Sequence, residues 1–271
     1  MSVYDLSKRR RDTLRPSPLF LAVVAVTAIG GALAWTQDEP GSRSGDIGVF
    51  LLVLGGWVVS VCLHEFAHAY TAYRAGDRSV ESAGYLTLNP FKYAHPVLSI
   101  ILPLFFIVQG GIGLPGGAVY LHRHAFRSRT MQSAAAAVGP LTNAALAAVL
   151  LAVAGSHDAF LSGGETAHIR FWTGLAFLGF LQITAAILNL LPVPGLDGYA
   201  IIEPYLDPDT VRFGEKIKPW GMIGIIVLLQ IQGLRDAFFT LVNACYDLSG
   251  ASEVLWQFGH EFFRFWAKNP L

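Results

Sequence analysis

The sequence predicts an α-helical membrane protein that crosses the bilayer several times. Hydrophobic residues fill 53% of its 271 positions and charged residues only 14%, whereas soluble domains average about 25% charged residues. The mean hydropathy is +0.48, and several apolar runs are about 20 residues long, enough for one helix to cross the hydrocarbon core. We expect about six apolar segments, five spans plus one re-entrant or sixth, with a small cytoplasmic β element.

The charge balance and the cysteine content exclude two broad classes of protein. Lys and Arg together number 19, as do Asp and Glu, so the formal net charge is zero. This balance does not indicate a nucleic-acid-binding surface. The two cysteines, Cys62 and Cys245, do not form the framework of a disulfide-rich secreted domain.

The apolar runs divide the chain into three predicted regions. Residues 1–17 form a basic cytoplasmic tail, residues 18–242 a membrane-embedded domain with its core at 47–200, and residues 243–271 an amphipathic tail expected to lie in the interface. By the positive-inside rule, the basic residues place the amino terminus in the cytoplasm of a multi-pass cell-membrane protein. Spans are expected at 18–36, 47–73, 132–154, 171–191 and, least securely, 220–242.

The chain between the second and third spans has a different character. Residues 84–90 alternate like a strand, so this stretch is either a plain loop or a short strand that holds an extended peptide by β-augmentation. Residues 96–109 are apolar but short for a span, and the glycine-rich run 110–117 is a poor helix. We therefore expect a re-entrant segment there, covered by protein or facing a watery cavity.

The second span carries the motif His64-Glu65-Phe66-Ala67-His68. Positions i and i+4 lie above one another on a helix, so His64 and His68 can present two imidazoles to one metal ion, and zinc accepts such ligands. A glutamate beside the first ligand is the usual general base of this motif. Ionisable groups within a lipid-spanning helix are costly and mostly functional, which favours a catalytic metal site toward the cytoplasmic side.

A third ligand is predicted at the end of the fourth apolar span. Asp197 follows Pro192 and Pro194, which end the helix, and the topology places it at a depth comparable with His64. It is either a metal ligand or an N-cap aspartate at the membrane face. Two histidines, one carboxylate and an open position are the donor set of a catalytic zinc. Asn143 is a further polar residue within a span, and it either bonds a neighbouring helix or contacts the metal site.

These residues resemble the site-2 protease family of intramembrane zinc metalloproteases. The resemblance lies in the H-E-x-x-H motif, in Asn189-x-x-Pro192-x-Pro194-x-x-Asp197-Gly198, in 84–90 with His95-Pro96, and in the Gly139-Pro140-Leu141-Thr142-Asn143 block. It covers roughly residues 47–200 and fits the short bacterial type, without an inserted PDZ or CBS domain.

The resemblance implies one zinc ion per chain held by His64, His68 and Asp197, with Glu65 as the catalytic base and Asn189 contacting either the substrate or the developing oxyanion. It implies cleavage of transmembrane proteins, for example a membrane-bound anti-sigma factor, in regulated intramembrane proteolysis. Two alternatives stay open at this point. One is a membrane transporter or metal-handling protein, and the other is a catalytically inactive relative that binds substrates.

Overall fold

The computed structural model describes residues 14–93, 125–158 and 167–267, together with Phe105 and Ile107. Within these ranges the chain is built of helices, and no strand is present among them. The helices are α1 Pro18–Thr36, α2 Arg43–Ala75, α3 Ser79–Ser82, α4 Arg129–Gly155, α5 Ile169–Leu190, α6 Asp197–Ile202, α7 Pro208–Ile217, α8 Gly221–Leu228, α9 Gln232–Asp247 and α10 Glu253–Phe263. Short 3-10 turns occur at Tyr85–Thr87, Glu203–Tyr205, Lys218–Trp220 and Phe265–Ala267.

Four of these helices are long and apolar enough to cross a membrane. They are α1, α2, α4 and α5, and the bent pair formed by Pro208–Leu228 and Gln232–Asp247 raises the number to five if it counts as one span. The first four spans predicted from the sequence are therefore confirmed as helices. The predicted re-entrant segment at 96–118 lies outside the described residues, except for Phe105 and Ile107.

Helix α5 forms the centre of the bundle. Its apolar side chains include Phe177, Phe180 and Leu181, which are at most 1% exposed, and it packs against α2, α4 and α10. A helix that is apolar on all sides must be covered by neighbours or by lipid, and here the neighbouring helices cover most of it.

Helices α1 and α2 cross at small residues. A Cβ atom on Gly30 would lie 2.5 Å from the backbone nitrogen of Leu52, and one on Gly48 would lie 2.5 Å from that of Ala34. Two backbones can approach this closely only where side chains are absent, as is common between membrane helices. The glycines therefore fix α1 against the helix that carries the histidine motif.

A buried ion pair joins three helices at the end of the bundle where α5 begins. Arg170 and Asp46 are 3% and 5% exposed, and Nε of Arg170 donates to Oδ1 of Asp46 at 3.0 Å. The carboxylate of Asp38, which follows α1, accepts from the backbone N–H groups of Ile169 and Arg170 at 2.9 and 3.1 Å. These contacts satisfy N–H groups that a helix leaves unpaired at its first turn.

Residues 84–90 do not form the short strand that was one of the two alternatives for this stretch. Residues Tyr85–Thr87 form a 3-10 turn, with Gly84 at φ 78° and Leu88 at φ 56° on either side. These left-handed conformations bend the backbone and prevent an extended run. The adjacent residues Tyr85 and Leu86 are both buried, in one cluster with side chains of the second half of α2, so burial here does not follow the alternation of a strand.

The last predicted span, 220–242, is not one straight helix. It is divided between α8 and α9, and the helices on the two sides of the break are bent by 93°. Arg235 and Asp236 follow the break, and their side chains are 46% and 60% exposed. A charged pair in the middle of a span would have to leave water at high cost, and the turn in the chain avoids that arrangement.

The C-terminal helix α10 is more deeply packed than its amphipathic sequence suggested. Leu255 and Phe263 are fully buried in the main core, and Gly259 lies so close to α5 that a Cβ there would be 2.0 Å from the carbonyl oxygen of Thr173. Much of the apolar face of α10 is therefore covered by protein rather than by the membrane interface.

Candidate metal centre

Helix α2 places both motif histidines inside the bundle. His64 and His68 are each 5% exposed, and Glu65 between them is 2% exposed. The helix continues for about 17 Å beyond His64 to its end at Ala75, given a rise of 1.5 Å per residue. The motif therefore lies well within the length of a candidate span.

Asp197 reaches the histidines because the chain turns back sharply after α5. The loop after Leu190 contains two prolines, and Gly195 adopts φ 105°. A Cβ atom on Gly198 would lie 2.2 Å from the carbonyl oxygen of Leu190, so only glycine permits α6 to fold this tightly against the end of α5. The N-cap position of α6 is Leu196, and Asp197 is the first residue inside the helix, which argues against the N-cap interpretation.

The three side chains converge on one point. Oδ2 of Asp197 lies 3.2 Å from Nε2 of His64, and its Oδ1 lies 3.4 Å from Nε2 of His68. The two Nε2 atoms are 3.0 Å apart. Tetrahedral zinc with ligands at 2.0–2.1 Å requires ligand atoms about 3.3 Å from one another. The observed triangle has nearly those dimensions.

The hydrogen bonds of the histidines leave the converging nitrogens available to a cation. Nδ1 of His68 lies 2.6 Å from the carbonyl oxygen of Ala135, and Nδ1 of His64 lies 2.6 Å from Oδ1 of Asn143. Because both partners are acceptors, each Nδ1 carries the proton, and each neutral ring has its lone pair on Nε2. Two lone pairs and a carboxylate then face one another, which is the donor set that binds zinc.

Helix α4 makes room for this arrangement. A Cβ atom on Gly139 would lie 2.2 Å from Nε2 of His68 and 2.6 Å from Nε2 of His64. Any side chain there would occupy the space in front of the ligand nitrogens. Among the described residues, His64, His68 and Asp197 form the one group of three or more ligand-type side chains with this spacing, and we conclude that they fit a zinc ion.

The two remaining predicted site residues, Glu65 and Asn189, are both buried. Glu65 follows the first ligand on α2 and is close enough to His68 to interact with it electrostatically. Asn189 is 7% exposed and lies in the last turn of α5, eight residues before Asp197. The Asn189 side chain makes no hydrogen bond to another residue in the described part of the chain, so its contact with a substrate stays a prediction.

Comparison with known proteins places the chain among zinc metalloproteases. It is 51% identical over 257 residues to a protein of Mycolicibacterium smegmatis named Putative zinc metalloprotease Rip2, and the match covers 95% of this chain and 96% of that protein. A Mycobacterium tuberculosis protein of the same name is 46% identical, with 95% and 97% covered. The chain belongs to the site-2 protease family.

A more distant member of the family supports the same assignment. Putative zinc metalloprotease YwhC of Bacillus subtilis is 32% identical over 198 residues, which cover 70% of this chain and 85% of that protein. No family model matches the chain, and no solved structure matches it. The names of these relatives are those of proteases, and none of them supports the transporter alternative.

Sequence reasoning missed part of the surroundings of the metal centre. Gln182 and Ser60 are buried polar residues on α5 and α2 that connect to Asn143, and neither was singled out. The only signal was a glutamine within an apolar span, where a polar side chain needs a partner. The sequence left two roles open for Asn143, a contact with the metal site and a bond to a neighbouring helix. Asn143 has both, because it contacts His64 and also donates to Gln182 on α5.

Proposed function

We propose that the protein is an intramembrane zinc endopeptidase that hydrolyses peptide bonds in or near the transmembrane segments of other membrane proteins. The observation that carries this proposal is the convergence of His64, His68 and Asp197 inside the helix bundle, with Glu65 next to the first ligand. Membership of a family of zinc metalloproteases supports peptide hydrolysis as the reaction. The burial of the centre within the helix bundle supports a reaction inside the membrane.

Each predicted site residue has a distinct role in this proposal. His64, His68 and Asp197 hold one zinc ion, which when bound acts as a Lewis acid and lowers the pKa of water to about 7. Glu65 accepts the proton of the attacking water and later delivers it to the leaving amine. Asn189 donates from its side-chain amide to the carbonyl oxygen of the substrate, where negative charge develops.

The proposed substrate is a transmembrane protein, such as a membrane-bound anti-sigma factor whose removal frees a transcription factor. Every carbonyl of a transmembrane helix is held in a hydrogen bond to the next turn. The substrate helix must therefore unwind at the scissile bond before that bond can enter the metal centre beside Glu65. Helix-breaking residues at the cleavage position would assist this step.

The proposed orientation puts the amino terminus and the metal centre on the cytoplasmic side of the cell membrane. Basic residues lie at the helix ends nearest the centre. Arg74 is in the last turn of α2 and Arg78 follows it, Arg129 starts α4, and Lys216 and Lys218 come after α6. Such residues accumulate in cytoplasmic loops. The domain limits, 1–17, 18–242 and 243–271, and the total of five spans plus one further segment belong to the same proposal.

Glu65→Gln tests the proposal directly. Purified wild-type protein and the variant are reconstituted into liposomes with single-span reporter proteins, and cleavage is followed by the appearance of the shortened product. We expect the variant to keep one zinc per chain and to lose at least about 100-fold in rate, a typical effect of removing a general base. Glu39→Gln, in an exposed loop, is the matched control. Equal cleavage by wild type and Glu65→Gln would rule out the proposed role.

A further inference from the structure

A chain of four buried polar side chains leads from the metal centre into the apolar core. Oδ1 of Asn143 faces Nδ1 of His64 at 2.6 Å, and Nδ2 of Asn143 donates to Oε1 of Gln182 at 3.1 Å. Nε2 of Gln182 donates to Oγ of Ser60 at 2.9 Å. The hydroxyl of Ser60 in turn donates to the carbonyl oxygen of Trp57 at 2.7 Å. The chain therefore joins α2, α4 and α5.

Water has little access to this chain. Gln182 is fully buried, and Asn143 and Ser60 are each 4% exposed. Ser60 and Gln182 border a cavity of about 660 Å³ whose other lining residues are almost all apolar. The direction of each hydrogen bond is consequently set by the neighbouring side chains rather than by solvent.

The bond from the Ser60 hydroxyl to the Trp57 carbonyl at the far end of the chain favours one direction for all of its hydrogen bonds. The carbonyl of Trp57 can only accept, so the Ser60 hydroxyl points its hydrogen toward it and offers its lone pairs to Gln182. Gln182 must then direct its NH₂ group to Ser60 and its oxygen to Asn143. Asn143 must direct its NH₂ group to Gln182 and its oxygen to His64. His64 is thereby required to carry its proton on Nδ1, which leaves Nε2 free.

The reverse arrangement would abolish metal binding by His64. If both amides were flipped, the NH₂ group of Asn143 would face Nδ1 of His64, and the ring would carry its proton on Nε2. That nitrogen would then point a hydrogen at His68 and Asp197 instead of a lone pair. Asn and Gln side chains are nearly symmetric in shape, so hydrogen bonding rather than packing distinguishes the two arrangements.

We propose that Gln182 is a positioning residue that, anchored by Ser60, holds Asn143 in the orientation that keeps Nε2 of His64 available to zinc. This inference rests on the metal centre of the proposed function, and it concerns metal affinity rather than proteolysis. Partners that orient a ligating histidine typically contribute 10–100-fold to metal affinity. Gln182 touches neither the ligand nitrogens nor the substrate, and its effect reaches the metal through Asn143 and His64.

The test is a double-mutant cycle read by zinc affinity. Gln182→Met removes the directional hydrogen bonds and keeps the length and volume of the side chain. Asn143→Asp replaces the amide with a carboxylate, which can only accept from Nδ1 of His64 and therefore needs no orientation by Gln182. Zinc affinity is measured by chelator competition on the purified full-length protein in detergent, and the cobalt absorption spectrum reports the ligand set.

We expect Gln182→Met to weaken zinc binding about 10-fold or more in the wild-type background. In the Asn143→Asp background the same substitution should cost less than about 3-fold. Thr173→Val is the control, since Thr173 is a buried polar residue of α5 that bonds only to carbonyls of its own helix in the described part of the chain. It should leave the affinity unchanged.

Two outcomes would overturn the inference. One is an unchanged zinc affinity in Gln182→Met, and the other is an equal loss in both backgrounds, which is the result of a purely structural role. Thermal unfolding and gel filtration show whether each variant is folded. If Gln182→Met alone does not fold, its effect on zinc affinity is measured in the Asn143→Asp background. Failure of the wild-type protein to bind zinc at all would instead contradict the proposed function.

Discussion

Gly139 lies directly against His68, so that a Cβ atom at this position would be 2.2 Å from the Nε2 atom that faces the metal site. Carbon and nitrogen atoms that are not bonded normally approach no closer than about 3.5 Å. The glycine is therefore part of the metal centre although it offers no ligand atom. Helix α4 needs glycine at position 139 because any side chain there would collide with the metal-facing nitrogens of His64 and His68.

Gly139→Ala should abolish or strongly weaken zinc binding, because the methyl group takes the space in front of both Nε2 atoms. We expect at least a 100-fold loss of zinc affinity in chelator competition, comparable with the loss of an entire ligand. Gly224→Ala is the matched control, since a Cβ atom at Gly224 would meet no atom within 4 Å. Normal zinc binding by Gly139→Ala would show that the side chains are arranged differently around the metal.

The buried pair of Arg170 and Asp46 should make a large contribution to stability. Arg170→Met removes the arginine from this buried ion pair with Asp46, and breaking a buried pair by removing one member costs about 3–5 kcal/mol. The measurement is the free energy of unfolding in detergent.

Two further variants separate pairing from packing at Arg170. The double variant Arg170→Met, Asp46→Leu should recover much of the loss, because no unpaired charge remains. Arg212→Met removes an exposed pair with Asp209, whose side chains are 72% and 84% exposed, and should cost at most about 1 kcal/mol. A comparable loss at both arginines would contradict the account.

His260 gives the packing of α10 a predictable dependence on pH. Burial between α5 and α10, and to a smaller degree the charge of Arg264, lower the pKa of His260 below its usual value of about 6.5. The folded protein therefore binds the proton less readily than the unfolded chain. Stability should be lost as the pH falls below about 6.5 toward the pKa of the folded state.

The thermal midpoint, measured between pH 7.5 and 5.5, tests this expectation against His260→Gln. The wild-type protein should lose more stability over that interval than the variant, because glutamine does not titrate. Other histidines contribute equally to both proteins and cancel in the comparison. An identical decrease in the two proteins would exclude His260 as the source.

The sequence indicated the residues of the candidate metal centre because their signals are local or depend on depth. The i and i+4 spacing of His64 and His68 needs only a helix, and the apolar surroundings show that the helix is within the membrane. Asp197 was predicted because four alternating spans bring the end of α5 to the depth of His64. Gly139 and Gly198 are evident in the sequence, but their contacts with His68 and with Leu190 depend on how α4 packs on α2 and α6 on α5.

The errors arose where tertiary contacts outweigh the local pattern. The alternation at 84–90 resembled a strand, yet Leu88 adopts a left-handed conformation and the chain turns. The amphipathic pattern of the tail did not by itself indicate that Gly259 allows α10 to pack closely on α5. Gln182 and Ser60 could not be paired from sequence, because their residues are 122 positions apart and share no motif.

The coordination of the bound metal tests the central claim most directly. We predict that X-ray absorption spectroscopy of the zinc-loaded protein will show two histidine nitrogens and carboxylate oxygen at about 2.0–2.2 Å, with one zinc per chain. In Asp197→Ala the stoichiometry should fall well below one. A sulfur ligand from Cys62 or Cys245, or a full complement of zinc in Asp197→Ala, would contradict the assignment of His64, His68 and Asp197 as the metal site.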